Sequence, residues 1–174
     1  MKKTKIISRQ AMIAAIYAVL SLVLSAISFG PVQVRISEGL TLLPIFAFSN
    51  VWGVTIGCFI TNLVGFFTGA NILGAFDILF GTLATFIAAI LSYLLRNVRF
   101  KNLPILSVIP PIIVNAVVIG WELCILINNG KFSAVVFVAQ ALSVGIGQLL
   151  SCGIIGMIIV KTVDSNKNLK DFLS

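Results

Sequence analysis

The sequence predicts an all-α integral membrane protein: a six-helix transmembrane bundle with both termini in the cytoplasm. Three observations predict it. Hydrophobic residues fill 59% of the 174 positions and charged residues 10%, with a mean hydropathy of +1.14. The apolar runs are long enough, at ~1.5 Å of rise per residue, to cross a hydrocarbon layer of ~30 Å. The basic residues are also unevenly divided. With six crossings, Lys2, Lys3, Lys5, Arg9, Arg96, Arg99, Lys101, Lys161, Lys167 and Lys170 share one side, and only Arg35 and Lys131 face the other. The positive-inside rule makes the first side cytoplasmic. The polar segments are too short to enclose a second core, so residues 1–174 read as a single membrane domain of the cell membrane. Topology and anionic lipid account for the net charge of +7, which calls for no nucleic-acid partner.

The first span covers roughly residues 8–28. Its basic flank has the order of a secretory signal, but no clear small-residue cleavage site follows and the rest of the chain is equally hydrophobic, so it reads as a retained helix. Ala11, Ala14, Ala15 and Ala18 give this helix small residues at three- and four-residue spacing, a face on which another helix can approach closely.

Residues 29–44, FGPVQVRISEGLTLLP, place Arg35 and Glu38 between long apolar runs. Desolvating an unpaired ion is costly, so ionisable residues at that position mark a polar cavity or ligand site, or else pair with each other to fix a loop. The second span, 39–51, is short and interrupted by Pro44, which suits a cavity wall. In the third, 53–69, Gly53, Gly57, Thr61, Gly65 and Gly69 form an unbroken close-packing stripe. Asn62 beside it either joins two helices or meets a ligand. The fourth span, 76–95, carries Asp77 in its first turn, where capping and ligand binding are both open.

The fifth span, 104–127, holds Asn115 and Glu122 seven residues apart, on nearly one face. The sixth, 134–160, carries Gln140 and Gln148 near one face and a seam of small residues at Ala139, Ser143, Gly147 and Ser151.

In this topology Arg35, Glu38, Asp77 and Glu122 fall toward the outer ends of their helices, with Gln140 nearby and Asn62 and Asn115 deeper. Three carboxylates against one arginine suit a ligand rich in hydrogen-bond donors, or a cation. Phe29, Phe76 and Trp121 lie at similar depth and serve either as a stacking wall or as interfacial anchors. The stretch 29–37, entered through Gly30 and Pro31, is expected to gate the pocket.

Several functions are excluded. Histidine is absent and the three cysteines are far apart in apolar runs, so no metal site, cofactor or disulfide framework is expected. There is no phosphate-binding loop for ATP hydrolysis and no nucleophile, base and orienting group at recognisable spacing, so the chain does not read as an enzyme.

The stretch FGPVQVRISEGLTLLP resembles the loop and second-helix motif of the queuosine-precursor transporter (QueT-type) family, substrate-binding S-components of energy-coupling-factor (ECF) transporters. The similarity extends to GCFITNLVG at 57–65, DILFGTLA at 77–84 and the 115–122 segment. It implies capture of a 7-deazaguanine base, such as preQ0, preQ1 or queuine, outside the cell. It also implies a coupling module of one membrane subunit and two cytoplasmic ATPases, met through an A-x-x-x-A face at Ala14 and Ala18 or, one step round, at Ala11 and Ala15. Gly39 departs from the pattern, where alanine is expected.

A deazaguanine offers an N1–H and an exocyclic amine that one carboxylate can accept together, while its carbonyl needs a donor. On that reading Glu38 and Glu122 are the acids nearest the ligand and Asp77 the third, with Arg35 and Asn115 as donors and Asn62 and Gln140 completing the site. A self-sufficient secondary transporter of a small polar or cationic solute is the alternative, although six spans without an evident inverted repeat are few for alternating access. An S-component for a different vitamin-like ligand is the other.

Overall fold

The computed structural model describes residues 2–29, 34–101 and 103–174, so Gly30, Pro31, Val32 and Gln33, the centre of the expected gate, lie outside the described residues. Helices α1 (Lys2–Val23), α2 (Ser25–Ser28), α3 (Asn50–Phe67), α4 (Ala75–Leu94), α5 (Ile109–Ile127), α6 (Ala134–Gln148), α7 (Met157–Ser165) and α8 (Lys167–Leu173) follow in order. Two 3-10 segments, Ile36–Ile45 and Ile105–Val108, precede α3 and α5, and a π-helical segment, Leu149–Gly156, joins α6 to α7. Among the described residues, five runs are long and apolar enough to cross a membrane: Lys3–Val23, Asn50–Phe67, Ala75–Leu94, Ile105–Ile127 and Ala134–Ser165. Large apolar side chains such as Trp52, Phe59, Ile87 and Ile113 point outward from them, as a lipid solvent requires.

The stretch expected as a short second span holds a 3-10 helix of ten residues, Ile36–Ile45, well beyond the usual three or four. Pro44 lies inside it, and every residue from Ser37 to Ile45 is buried. Tertiary contacts hold it. Cys152 Sγ donates to the Glu38 carbonyl at 3.2 Å, and Asn50 Nδ2 donates to the Leu43 carbonyl at 3.0 Å. Its backbone is pressed against the π segment: a Cβ at Gly39 would meet the Ser151 carbonyl at 2.9 Å and Gly156 N at 3.1 Å. Alanine at 39 would push the two irregular segments apart, so the departure at Gly39 goes with this contact.

The glycine stripe of α3 packs on α1. A Cβ at Gly57 would lie 2.7 Å from Tyr17 Cβ and 3.0 Å from the Ala14 carbonyl. Ala14 and Ala18, 4% and 7% exposed, are therefore on the side of α1 that faces the bundle, whereas Ala11 and Ala15 face outward. Of the two faces expected to meet a partner, the one at Ala14 and Ala18 is thus taken up inside the bundle, and the one at Ala11 and Ala15, one residue or about 100° round, remains exposed. The seam on α6 also differs, since Ala139 is exposed and Ala141 instead meets Gly120 of α5, 2.8 Å from a Cβ built there.

The ends of the chain meet. Arg9 Nη1 donates to the Phe172 carbonyl at 2.8 Å and to the Ser174 carbonyl, and its Nη2 to Ser49 Oγ at 2.7 Å. Asn50 Nδ2 also donates to the Leu173 carbonyl at 2.9 Å, and the Leu173 side chain enters the core beside Leu43 and Val51.

Candidate functional site

Arg35 N-caps the 3-10 segment in extended conformation and is buried in the bundle. Its Nη2 reaches Asp77 Oδ2 at 3.3 Å, its Nη1 lies 4.0 Å from Glu38 Oε1, and its Cζ sits 5.0 Å from the Phe29 ring centroid. The Arg35–Glu38 pair expected as an alternative exists, but Asp77 is the closer acid. Asp77 does not cap α4. Its Oδ2 accepts from Arg35 and from Asn71 Nδ2 at 2.7 Å, while Oδ1 is buried without a partner among the described residues.

Asn62 joins two helices. Its Nδ2 donates to the Asp77 carbonyl at 2.8 Å, tying α3 to α4, and its Oδ1 is buried without a partner among the described residues.

Glu38 is 1% exposed and its carboxylate is fully engaged. Tyr17 OH donates to Oε1, Thr85 Oγ1 donates to Oε1 at 3.3 Å, and Thr41 Oγ1 donates to Oε2 at 3.0 Å. Thr85 stands halfway along α4, so Glu38 sits at mid-depth in the bundle rather than at an outer end. The cause is local: Arg35 lies beside Asp77, and the 3-10 segment that follows it runs from there toward Asn50.

Glu122 is the opposite case. It is 5% exposed, and neither carboxylate oxygen has a hydrogen-bond partner among the described residues. It borders a cleft of about 250 Å³ with Leu73, Phe76, Trp121 and Ile125, within electrostatic range of Asp77 and Arg35. That volume lies just below the range of ~300–1,000 Å³ typical of small-molecule sites, and the lining is similarly apolar. Phe80 links the two aromatic walls, 6.5 Å from Phe76 and 6.0 Å from Trp121 between centroids. Phe29 is not part of this wall, because it is buried against Gly65 and beneath Arg35.

Asn115 and Gln140 stand apart. Asn115 is buried with its Nδ2 donating to the Pro111 carbonyl of its own helix at 3.0 Å, and Gln140 is half-buried on α6. Among the described residues no hydrogen bond or ion pair ties either one to Arg35 or Asp77. Sequence reasoning missed Tyr17, Asn71 and Cys58. The Cys58 sulfur receives Asn62 Nδ2 at 3.5 Å, Thr85 Oγ1 at 3.3 Å and Arg35 Nη1 at 3.8 Å. Tyr17 and Ser21, four apart beside Ala14 and Ala18, were the available sign that this face of α1 looks inward.

The arrangement joins an ion-pair network of one cation and two acids to a carboxylate that has no hydrogen-bond partner among the described residues. A buried carboxylate without donors is unfavourable, so the cleft is suited to a small ligand that brings N–H groups or positive charge.

The chain is 39% identical over 106 residues to a Lactococcus lactis protein named queuosine precursor transporter QueT, a stretch that spans 59% of this chain and 58% of that protein. No solved structure matches. The family described as QueT transporter matches residues 7–165, and the chain belongs to that family of membrane transporters.

Proposed function

We propose that this chain is the substrate-binding S-component of an ECF-type importer and captures a queuosine precursor, a 7-deazaguanine base, at the outer side of the cell membrane. The observation that carries this reading is the buried Glu122 carboxylate, unpartnered beside Phe76 and Trp121. A flat base between the aromatic side chains can present its N1–H and exocyclic amine to that carboxylate. Asp77 Oδ1 and Asn62 Oδ1 offer further acceptors, while Arg35 and Asn71 hold Asp77 in place. Glu38 organises Arg35 and α1 rather than touching the ligand. Asn115 and Gln140 take secondary places at most.

The charge balance favours a cationic ligand. Arg35 is shared by Glu38 and Asp77, and Glu122 has no ion-pair partner among the described residues. An aminomethyl-deazaguanine therefore fits better than the neutral nitrile.

In this reading the segment Ile36–Ile45 is the second of six passes in a single membrane domain, spanning only ~20 Å at the ~2.0 Å rise of a 3-10 helix. Both termini then lie in the cytoplasm with ten of the twelve basic residues. The chain contributes no ATPase, and energy comes from the coupling module, met through the outward Ala11 and Ala15 of α1.

Uptake assays with the aminomethyl base in cells with and without the coupling module test this. Uptake that requires the module supports the S-component. Uptake that persists without it would show a self-sufficient transporter. Mass spectrometry of small molecules co-purifying with the protein would reveal a different vitamin-like ligand.

A further inference from the structure

At the end of the bundle that holds both termini, three segments bring Arg99, Lys101, Lys161 and Lys170 around one groove of about 460 Å³. Its one lining acid, among the described residues, is Asp164. Both oxygens of Asp164 are engaged: Oδ2 accepts from Arg99 Nη1 at 3.1 Å and Oδ1 from Lys170 Nζ at 2.9 Å. One negative charge thus faces four positive ones, and neither Lys101 nor Lys161 has an ion-pair partner among the described residues.

Phe100 and Leu103 pair with each other through their backbones. Phe100 N donates to the Leu103 carbonyl at 2.9 Å and Leu103 N to the Phe100 carbonyl at 3.0 Å. Lys101 itself adopts a left-handed backbone with φ of 48°, uncommon for a residue other than glycine, and its ammonium is 5.9 Å from the Phe100 ring centroid.

The surroundings of the groove are apolar on the membrane side. Phe100, Val98 and Leu94 are exposed around the turn. Ile158, also exposed, stands three residues before Lys161 on the same face of α7. A soluble anion would be served by the charges alone. Cations set above exposed aliphatic side chains match a molecule with an anionic head and hydrocarbon tails.

We infer that this groove binds the headgroup phosphate of an anionic phospholipid, with Lys101 and Lys161 as its principal contacts and the acyl chains lying along Ile158 and Leu94. Bound there, the lipid would bridge the 99–103 turn, α7 and α8. The inference does not depend on which solute the protein carries.

The full-length protein in nanodiscs of equal parts phosphatidylglycerol and phosphatidylcholine, followed by native mass spectrometry of retained lipid, tests it. Wild type should retain phosphatidylglycerol preferentially. Lys101→Gln and Lys161→Gln should each lower that preference about fivefold, the effect of one basic residue near an anionic surface. Removing the same charge at the same end, by Lys3→Gln or Lys5→Gln, should leave it unchanged. Circular dichroism melting controls for folding. Should Lys161→Gln fail to fold, Lys101→Gln, in an exposed turn, decides alone.

An equal loss in the amino-terminal controls would overturn the site in favour of bulk charge. Competition by glycerol phosphate at equal concentration would show a site for a soluble anion. Unchanged lipid preference in both groove variants would also overturn it, and a parallel loss of co-purification with a coupling module would reassign the groove to protein docking.

Discussion

The carboxylate of Asp77 lies over the bare backbone of Gly81, one turn later on α4, so closely that a Cβ at 81 would stand 1.8 Å from Oδ1. The same Cβ would be 3.0 Å from Asn62 Nδ2. Asp77 cannot simply swing away, because Arg35 and Asn71 hold its other oxygen. Gly81→Ala is therefore expected to cost about 1–3 kcal/mol, as overpacking does, and to weaken ligand binding as Asp77 shifts. Thermal melting in detergent and titration with ligand measure the two effects. A variant with wild-type stability and affinity would show that the Asp77–Gly81 contact is dispensable.

Removing Arg35 leaves two buried acids without their shared cation. Breaking a buried ion pair from one side costs about 3–5 kcal/mol, so Arg35→Met should lower the melting temperature by many degrees. Adding Asp77→Asn to Arg35→Met should recover part of the loss, since one uncompensated charge is removed. If the double variant is no more stable than the single one, the Arg35–Asp77 pair is not what Arg35 stabilises.

The two alanine pairs of α1 should separate cleanly. Ala14→Trp with Ala18→Trp drives large rings into the α1–α3 contact at Gly57 and should prevent folding or cost several kcal/mol. Ala11→Trp with Ala15→Trp changes only the outward face, so the isolated protein should melt within about 0.5 kcal/mol of wild type and keep its affinity. That second pair should abolish co-purification with the coupling module. Retained assembly would move the partner surface elsewhere.

Long spans were legible from hydropathy because an apolar run reports the solvent around it whatever the local packing. What hydropathy could not convey was helix type. The segment Ile36–Ile45 contains no sign that it is 3-10 rather than α, and its ten-residue form depends on Cys152 and Gly156 from the far end of the chain. The roles of the acids were hidden for the same reason. Glu38 and Glu122 look alike in sequence, yet Glu38 is satisfied by Tyr17 and Thr85, 21 and 47 residues away, and Glu122 is left open. Asn71 was visible only as a loop residue with no assigned role, although its side chain both accepts from Leu73 N and donates to Asp77. On α1 the alanine spacing alone did not fix the rotation, because four alanines within eight positions mark two faces at once and only Tyr17 and Ser21 told them apart.

The most direct measurement is calorimetric titration of the purified protein with aminomethyl-deazaguanine, comparing wild type with Glu122→Gln and Glu38→Gln. Glu122 has no hydrogen bond to lose among the described residues, so Glu122→Gln should melt at or above the wild-type temperature while binding weakens by about 1.5–3 kcal/mol, the scale of a charged hydrogen bond. Glu38→Gln should do the reverse first, lowering the melting temperature as the Tyr17, Thr41 and Thr85 contacts weaken, with any loss of affinity following from that disorder. Unchanged affinity in Glu122→Gln, or a wild-type protein that binds no deazaguanine, would contradict the assignment of this cleft as the substrate site.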